Sequence, residues 1–183
     1  MDNTITIVTV VYNDKNNIEK TINSVLNQSY NSKEYIVVDG KSTDGTLEIV
    51  KKYADQISVI VSEPDRGIYD AMNKAVDLAH NEWIIFMNSG DVFADNDTLK
   101  NVFNEPISKN ISFIYSDFIV SNDSWKKKFI ASYENGVLLH QSVIYKKHLH
   151  ELLGKYIVRK SILYQTIFFS CYRMHLKYIK PMY

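Results

Sequence analysis

The sequence predicts a single α/β domain, a mostly parallel sheet flanked by helices, and two observations carry that prediction. Short β-branched runs alternate with amphipathic helical stretches through residue 91, the pattern of βαβ units. Polar residues also gather just after each run, where open α/β sheets place their ligands. At 183 residues the chain fits one domain, and its 45% hydrophobic content can supply a buried core.

Ile5 to Val11 is continuous and β-branched, as in a strand buried on both faces. Asn13 or Asp14 is suited to cap the next helix, where Ile18, Ile22, Val25 and Leu26 form one apolar stripe. Tyr35 to Val38 is the second run, closed by Asp39-Gly40. Ser42 to Thr46 reads as a turn feeding a helix through Asp55, with Leu47, Val50 and Ala54 inward. Ile57 to Val61 is the third strand and Ser62 to Gly67 the loop after it. Ile68, Met72, Ala75 and Ala79, at spacings of three and four, mark another helix. Trp83 to Met87 is the fourth strand, ended by Asn88-Ser89-Gly90-Asp91. Beyond it, Phe113 to Val120 and Val143 to Tyr145 read as strands, with a short helix over His148 to Leu153. Lys126-Lys127-Lys128 reads as a solvated loop or strand edge.

The four strand ends place aromatic, amide, carboxylate and guanidinium groups on one rim. Asp39 suits a base N–H or a ribose hydroxyl, and equally suits a turn before Gly40. Asp91 offers hard oxygens to a divalent cation, or a cap to the helix that follows. Arg66 suits a phosphate, or a surface ion pair. With no GxxxxGK[ST] loop and no GxGxxG turn, P-loop hydrolase and dinucleotide oxidoreductase readings lose support.

The 21 basic and 21 acidic residues balance overall but not locally. Residues 1–154 carry 15 Lys and Arg against 21 acids, whereas residues 155–183 carry 6 and none. That tail reads as a basic, apolar helix: at roughly 100° per residue, Lys155, Arg159, Arg173, Lys177 and Lys180 share a narrow wedge. It suits either peripheral contact with an anionic membrane or packing on the domain. Cys171 is the only cysteine, which excludes an intrachain disulfide and a cysteine metal cluster. A reducing cytoplasmic setting, with peripheral contact at the inner face of the membrane, is the expectation; no signal peptide or membrane span is recognised.

Several blocks then coincide in order. Thr9-Val10-Val11-Tyr12-Asn13, Ser24 to Tyr30, Val37-Val38-Asp39-Gly40-Lys41-Ser42-Thr43-Asp44-Gly45-Thr46, Glu63 to Lys74 and His140-Gln141-Ser142 together resemble the inverting family 2 glycosyltransferases of GT-A (Rossmann-like) fold, bacterial polysaccharide-assembly type. The resemblance implies that Tyr12, Asn13, Asp39 and Asp44 border the nucleoside of a nucleotide-sugar donor, most often a UDP-sugar. It places Asp65, Arg66, Asp70 and Lys74 beside the donor, and brings His140 toward the diphosphate or its ion. The family's DxD element falls at Asn88 to Asp91, so Asp91 is the retained contact for Mg²⁺ or Mn²⁺. The implied acceptor is a saccharide or a lipid-linked saccharide, with no nucleic-acid partner.

One feature departs from the family. Inverting transfer needs a general base, which the family draws from an acid downstream of the HQ motif. Here Glu151 is the last acid. Three readings stand: a shortened or frame-altered end that impairs transfer, a base drawn from Glu151 or Asp117, or a catalytically inactive nucleotide-sugar-binding module or partner subunit. No base is assigned.

Overall fold

A computed structural model describes residues 3–122, 124–158 and 176–178. The chain runs β1 (Ile5–Val11), α1 (Ile18–Leu26), β2 (Lys33–Asp39), α2 (Thr46–Lys51), β3 (Val59–Ser62), α3 (Ile68–Leu78), β4 (Trp83–Phe86), α4 (Thr98–Phe103) and β5 (Phe113–Tyr115). It continues through β6 (Phe118–Ser121), β7 (Lys126–Phe129), a 3-10 turn over His140–Ser142, β8 (Val143–Lys146), α5 (Leu149–Leu153) and β9 (Leu176–Tyr178).

The main sheet is ordered β3-β2-β1-β4-β8-β5-β9, and β6-β7 form a separate ribbon. β3, β2, β1 and β4 are mutually parallel, in register from Ile5↔Lys33 to Val11↔Asp39 and from Ile5↔Trp83 to Val8↔Phe86. β8 runs antiparallel to both β4 and β5. The chain steps outward from β1 on both sides, which leaves a crevice beyond the carboxyl ends of β1 and β4. The turn before β8 enters on that same side.

Alternation along the strands divides the core. One layer packs Ile5, Ile7 and Ile85 against Ile18, Ile22, Val25, Val50 and Leu99. The other packs Val8, Val10 and Phe86 against Met72, Ala75, Val76 and Leu149. α1 has Asn17 at its N-cap with no side-chain capping bond. Burial decides its stability instead: Ile18, Ile22 and Val25 are fully buried, each contributing about 1.5–3 kcal/mol against the roughly 1 kcal/mol of a cap.

Four expectations need correction. Asn13 and Asp14 do not cap α1, because a turn from Asp14 to Asn17 intervenes. α2 ends at Lys51, and Ala54 is exposed while Tyr53 packs on the core. Ile68 starts α3 but lies exposed, unlike the buried Met72, Ala75 and Ala79. Phe113 to Val120 is not one strand: Ser116-Asp117 breaks it, and Asp117 Oδ1 accepts the Ala131 N–H to close the base of the ribbon.

Most of the expected tail helix, residues 159–175 and 179–183, lies outside the described residues. The described parts of that segment are not helical. Leu176–Tyr178 pairs parallel to β5, and Tyr156 lies along α3, where Asn73 donates to its carbonyl and accepts its N–H, both at 2.9 Å. No helix among the described residues is long and apolar enough to cross a membrane.

Candidate functional site

The loops after the first four strands are fastened to one another. After β1 the chain turns sharply, with Asn13 at φ 50°, and its N–H donates to Ser42 Oγ at 2.8 Å while its Oδ1 accepts the Thr43 N–H at 2.8 Å. Asp14 and Lys15 continue the joint: the Asp14 N–H donates to Thr46 Oγ1 at 2.9 Å, and the Lys15 N–H to Asp44 at 3.1 Å. Asp44 also accepts the Thr46 N–H and hydroxyl, and these bonds, the hydroxyl first, hold its carboxyl below the usual range. Asn13 and Asp44 therefore act first as fasteners between the first two loops.

Asp39 is fully buried, and its carboxylate accepts the Ser42 N–H at 3.0 Å and the Ser62 hydroxyl at 2.6 Å. Of the two roles open to it in the sequence, the turn-organising one is what the structure displays. The loop after β3 then folds over Gly40. A Cβ there would meet Asp65 Oδ2 at 2.6 Å and the Tyr12 ring at 3.2 Å, so only glycine admits this contact without a shift. Asp65 is held by the Gly67 N–H at 2.8 Å, and Tyr12 remains 65% exposed at the rim. Three loops thus close on one point and leave an aromatic face open beside it.

Arg66 is 77% exposed and pairs with Asp70 at 2.9 Å, a surface ion pair one helical turn long. That pairing lowers the Asp70 pKa and raises that of Arg66. Lys74 bonds the Pro64 carbonyl at 2.8 Å and Glu63 at 2.9 Å. These four charges brace the loop against α3. A phosphate would have to draw Arg66 or Lys74 away from acids they already hold.

The β4 loop completes the rim. Gly90 takes φ 96°, a conformation that favours glycine, and its N–H donates to Thr21 Oγ1 at 2.8 Å. Ser89 donates to Asp14 Oδ2 at 2.7 Å, which ties this loop to the first. Asp91 does not cap α4, which begins at Thr98 behind Asp97. Its Oδ2 instead accepts the Gln141 amide at 2.7 Å. Burial raises the Asp91 pKa, and the Gln141 bond opposes that rise. The sequence had pointed to the HQ pair but put weight on His140; the residue that reaches the acid is Gln141. A glutamine at the start of a short strand carries no spacing signal of its own.

His140 is buried, its pKa pushed down to about 4 by desolvation, and its ring lies edge-on to Tyr69 and Tyr156. Of the two acids considered as a base, Asp117 is 5% exposed and committed to Lys128 at 3.4 Å and to the Ala131 N–H. Glu151 sits in α5, beyond the end of β8 remote from the rim, where the Lys147 N–H bonds Glu82 ahead of β4.

A divalent cation is compatible with what surrounds Asp91. The Asn88 side-chain oxygen is buried and accepts no hydrogen bond among the described residues. With the Asp91 carboxylate it offers hard oxygens, and phosphate and water oxygens can complete such a sphere. No group of three or more His, Cys, Asp or Glu that could hold a metal exists among the described residues, so protein ligands alone do not form a cage. A cleft runs behind Gln141 between α4 and the sheet, but Ile85, Leu99, Val102, Ile114 and Ile144 make it largely apolar. The polar chemistry belongs to the rim instead.

A mostly parallel sheet whose strand-end loops are fastened into one rim defines a class, and comparison with known proteins supplies the family. The family model described as "Glycosyl transferase family 2" matches residues 6–176, and the chain belongs to that family. It is 31% identical over 155 residues to a PGL/p-HBAD biosynthesis glycosyltransferase of Mycobacterium tuberculosis, a match covering 78% of this chain and 59% of that protein. It is 33% identical over 132 residues to the UDP-Glc:α-D-GlcNAc-diphosphoundecaprenol β-1,3-glucosyltransferase WfgD of Escherichia coli, covering 71% and 52%. The chain therefore spans little more than half the length of these curated relatives. Among solved structures, S. aureus TarS 1–349 superposes with a TM-score of 0.78 at 19% identity, covering 96% of this chain and 58% of that one. A mannosyltransferase of Pyrobaculum calidifontis, solved with GDP-Man and Mn²⁺, gives 0.76 at 18%, covering 99% and 55%. Both establish the GT-A fold.

Proposed function

We propose that the chain binds a nucleotide-sugar, by preference a UDP-sugar, with Mg²⁺ or Mn²⁺, and passes the sugar to a saccharide or lipid-linked acceptor. The closure of three strand-end loops at Gly40, with Tyr12 open beside it and Asp91 on the neighbouring loop, carries this reading. The relatives support it: WfgD is named for a UDP-sugar and a diphosphoundecaprenol acceptor, and TarS has been solved with UDP-GlcNAc. In this reading Tyr12 offers its ring to the base, while Asp39 and Asp44 shape the pocket through the backbone they hold. Asp65 lies at the junction, and Arg66, Asp70, Lys74 and His140 border the donor. Asp91, oriented by Gln141, and Asn88 hold the ion, which when bound offsets charge on the departing diphosphate.

A nucleotide-sugar-binding role without transfer is the second reading: Asp117 is engaged in the ribbon, Glu151 lies away from the rim, and neither is assigned as a base. Titration calorimetry with UDP, with and without Mn²⁺, tests the shared part: Mn²⁺ should tighten binding at least tenfold, and Asp91→Ala should abolish that gain. An Asp91→Ala protein with the full Mn²⁺ gain would refute the site. Incubation with a UDP-sugar panel then separates the two roles, because UDP release marks transfer or hydrolysis and binding without release marks the silent module.

A further inference from the structure

The β6–β7 ribbon forms a sheet of its own, and none of its described residues belongs to either core layer. It is held together internally. Phe118 and Phe129, directly opposite in register, stack at 5.1 Å and 11°, and Asp117 fastens the base through Lys128 and Ala131. At the other end Asn122 builds the tip, its side-chain oxygen accepting the N–H groups of Ser124 and Trp125 and its own N–H bonding the Trp125 carbonyl. The tip presents Trp125, 48% exposed, and Lys126 and Lys127 follow it, both exposed. From Phe118 to Ile130 the sequence carries three lysines and one acid, Asp123.

We infer that this ribbon docks edge-on to an anionic phospholipid surface, with Trp125 seated at headgroup depth and Lys126 and Lys127 against the lipid phosphates. Charge complementarity selects the partner's sign, and the indole selects its kind. Lysines alone would bind any polyanion, but an exposed indole at the tip of a two-stranded ribbon gains most where apolar and hydrated regions meet. Each lysine near such a surface contributes about 1 kcal/mol, so the pair and the indole act together. The ribbon is also connected to the site, because Ser116, at its root, donates its N–H to the Ser142 carbonyl next to Gln141. Docking would therefore bring the rim to the lipid surface, although the docking itself does not depend on any transfer reaction.

The chain has two tryptophans, and Trp83 is 1% exposed within the core, so contact quenching by lipid reports Trp125. The full chain is mixed with vesicles of phosphatidylcholine containing phosphatidylglycerol, with brominated acyl chains as the quencher, and vesicle-bound protein is recovered by flotation. Quenching should appear with the anionic vesicles and vanish in Trp125→Phe. The Lys126→Gln/Lys127→Gln variant should partition about 30-fold more weakly, while its affinity for UDP stays unchanged. No flotation, flotation without quenching, or a double variant that partitions like the parent would each overturn the inference; the second result would place the contact elsewhere, as on the basic tail.

Discussion

At the scale of single residues, the Gln141–Asp91 bond is the contact most exposed to test. Gln141→Leu removes the amide that orients the acid, and a hydrogen bond to a charged acceptor is typically worth about 1.5–3 kcal/mol. Mn²⁺-assisted UDP binding should weaken roughly tenfold or more, with metal-free UDP binding nearly unaltered, as read by calorimetry. Gly40→Ala makes a contrasting prediction. Its Cβ would collide with Asp65 Oδ2, the movable end of a side chain, so stability should change by less than about 1 kcal/mol. Nucleotide affinity should fall, because Asp65 and Tyr12 must part. A large loss of urea resistance in this variant would contradict the geometry.

At the scale of elements, the packing of residues 154–158 along α3 depends on one side chain. Asn73→Ala leaves the Tyr156 N–H and carbonyl buried without their partner and should cost about 2–4 kcal/mol. Limited proteolysis should then cut near Gly154 to Val158, while the sheet survives. Elements with strong local patterns were legible in the sequence: β1, β2 and β4 follow from unbroken apolar runs, and α3 from its spacing. What escaped was decided by single polar contacts across long separations. Asp117 splits an apparent strand by bonding Ala131, and Asn73 holds Tyr156 across 83 positions; neither leaves a periodic trace. The same holds at the rim. The choice of strand-end loops came from the sheet's topology, yet the fastening role of Asn13 and Asp44 and the reach of Gln141 to Asp91 depend on tertiary placement.

At the scale of the whole molecule, two buried histidines couple folding to pH. Burial lowers His140 and His150 to about 4 from an ordinary value near 6.5, so the native state keeps both neutral while the unfolded chain protonates them. Their stabilisation is complete above about pH 6.5 and is lost as pH falls toward 4, by about 2–3 kcal/mol for each. Urea midpoints at pH 7, 5.5 and 4.5 should decline in that order. His150→Phe should flatten the decline by about half, because Tyr145 keeps its 2.8 Å bond to the Tyr156 hydroxyl. The way the loops are joined has a separate consequence. The first, second and fourth loops share a web of bonds through Asp14, which meets Thr46 on one side and Ser89 on the other. The stretch from Ser116 to Gln141 meets the β4 loop at the Gln141–Asp91 bond. Randomising residues 118–139 in a library would disturb none of the Asp14 web, so that stretch can be varied widely while the joint between the three loops is inherited whole.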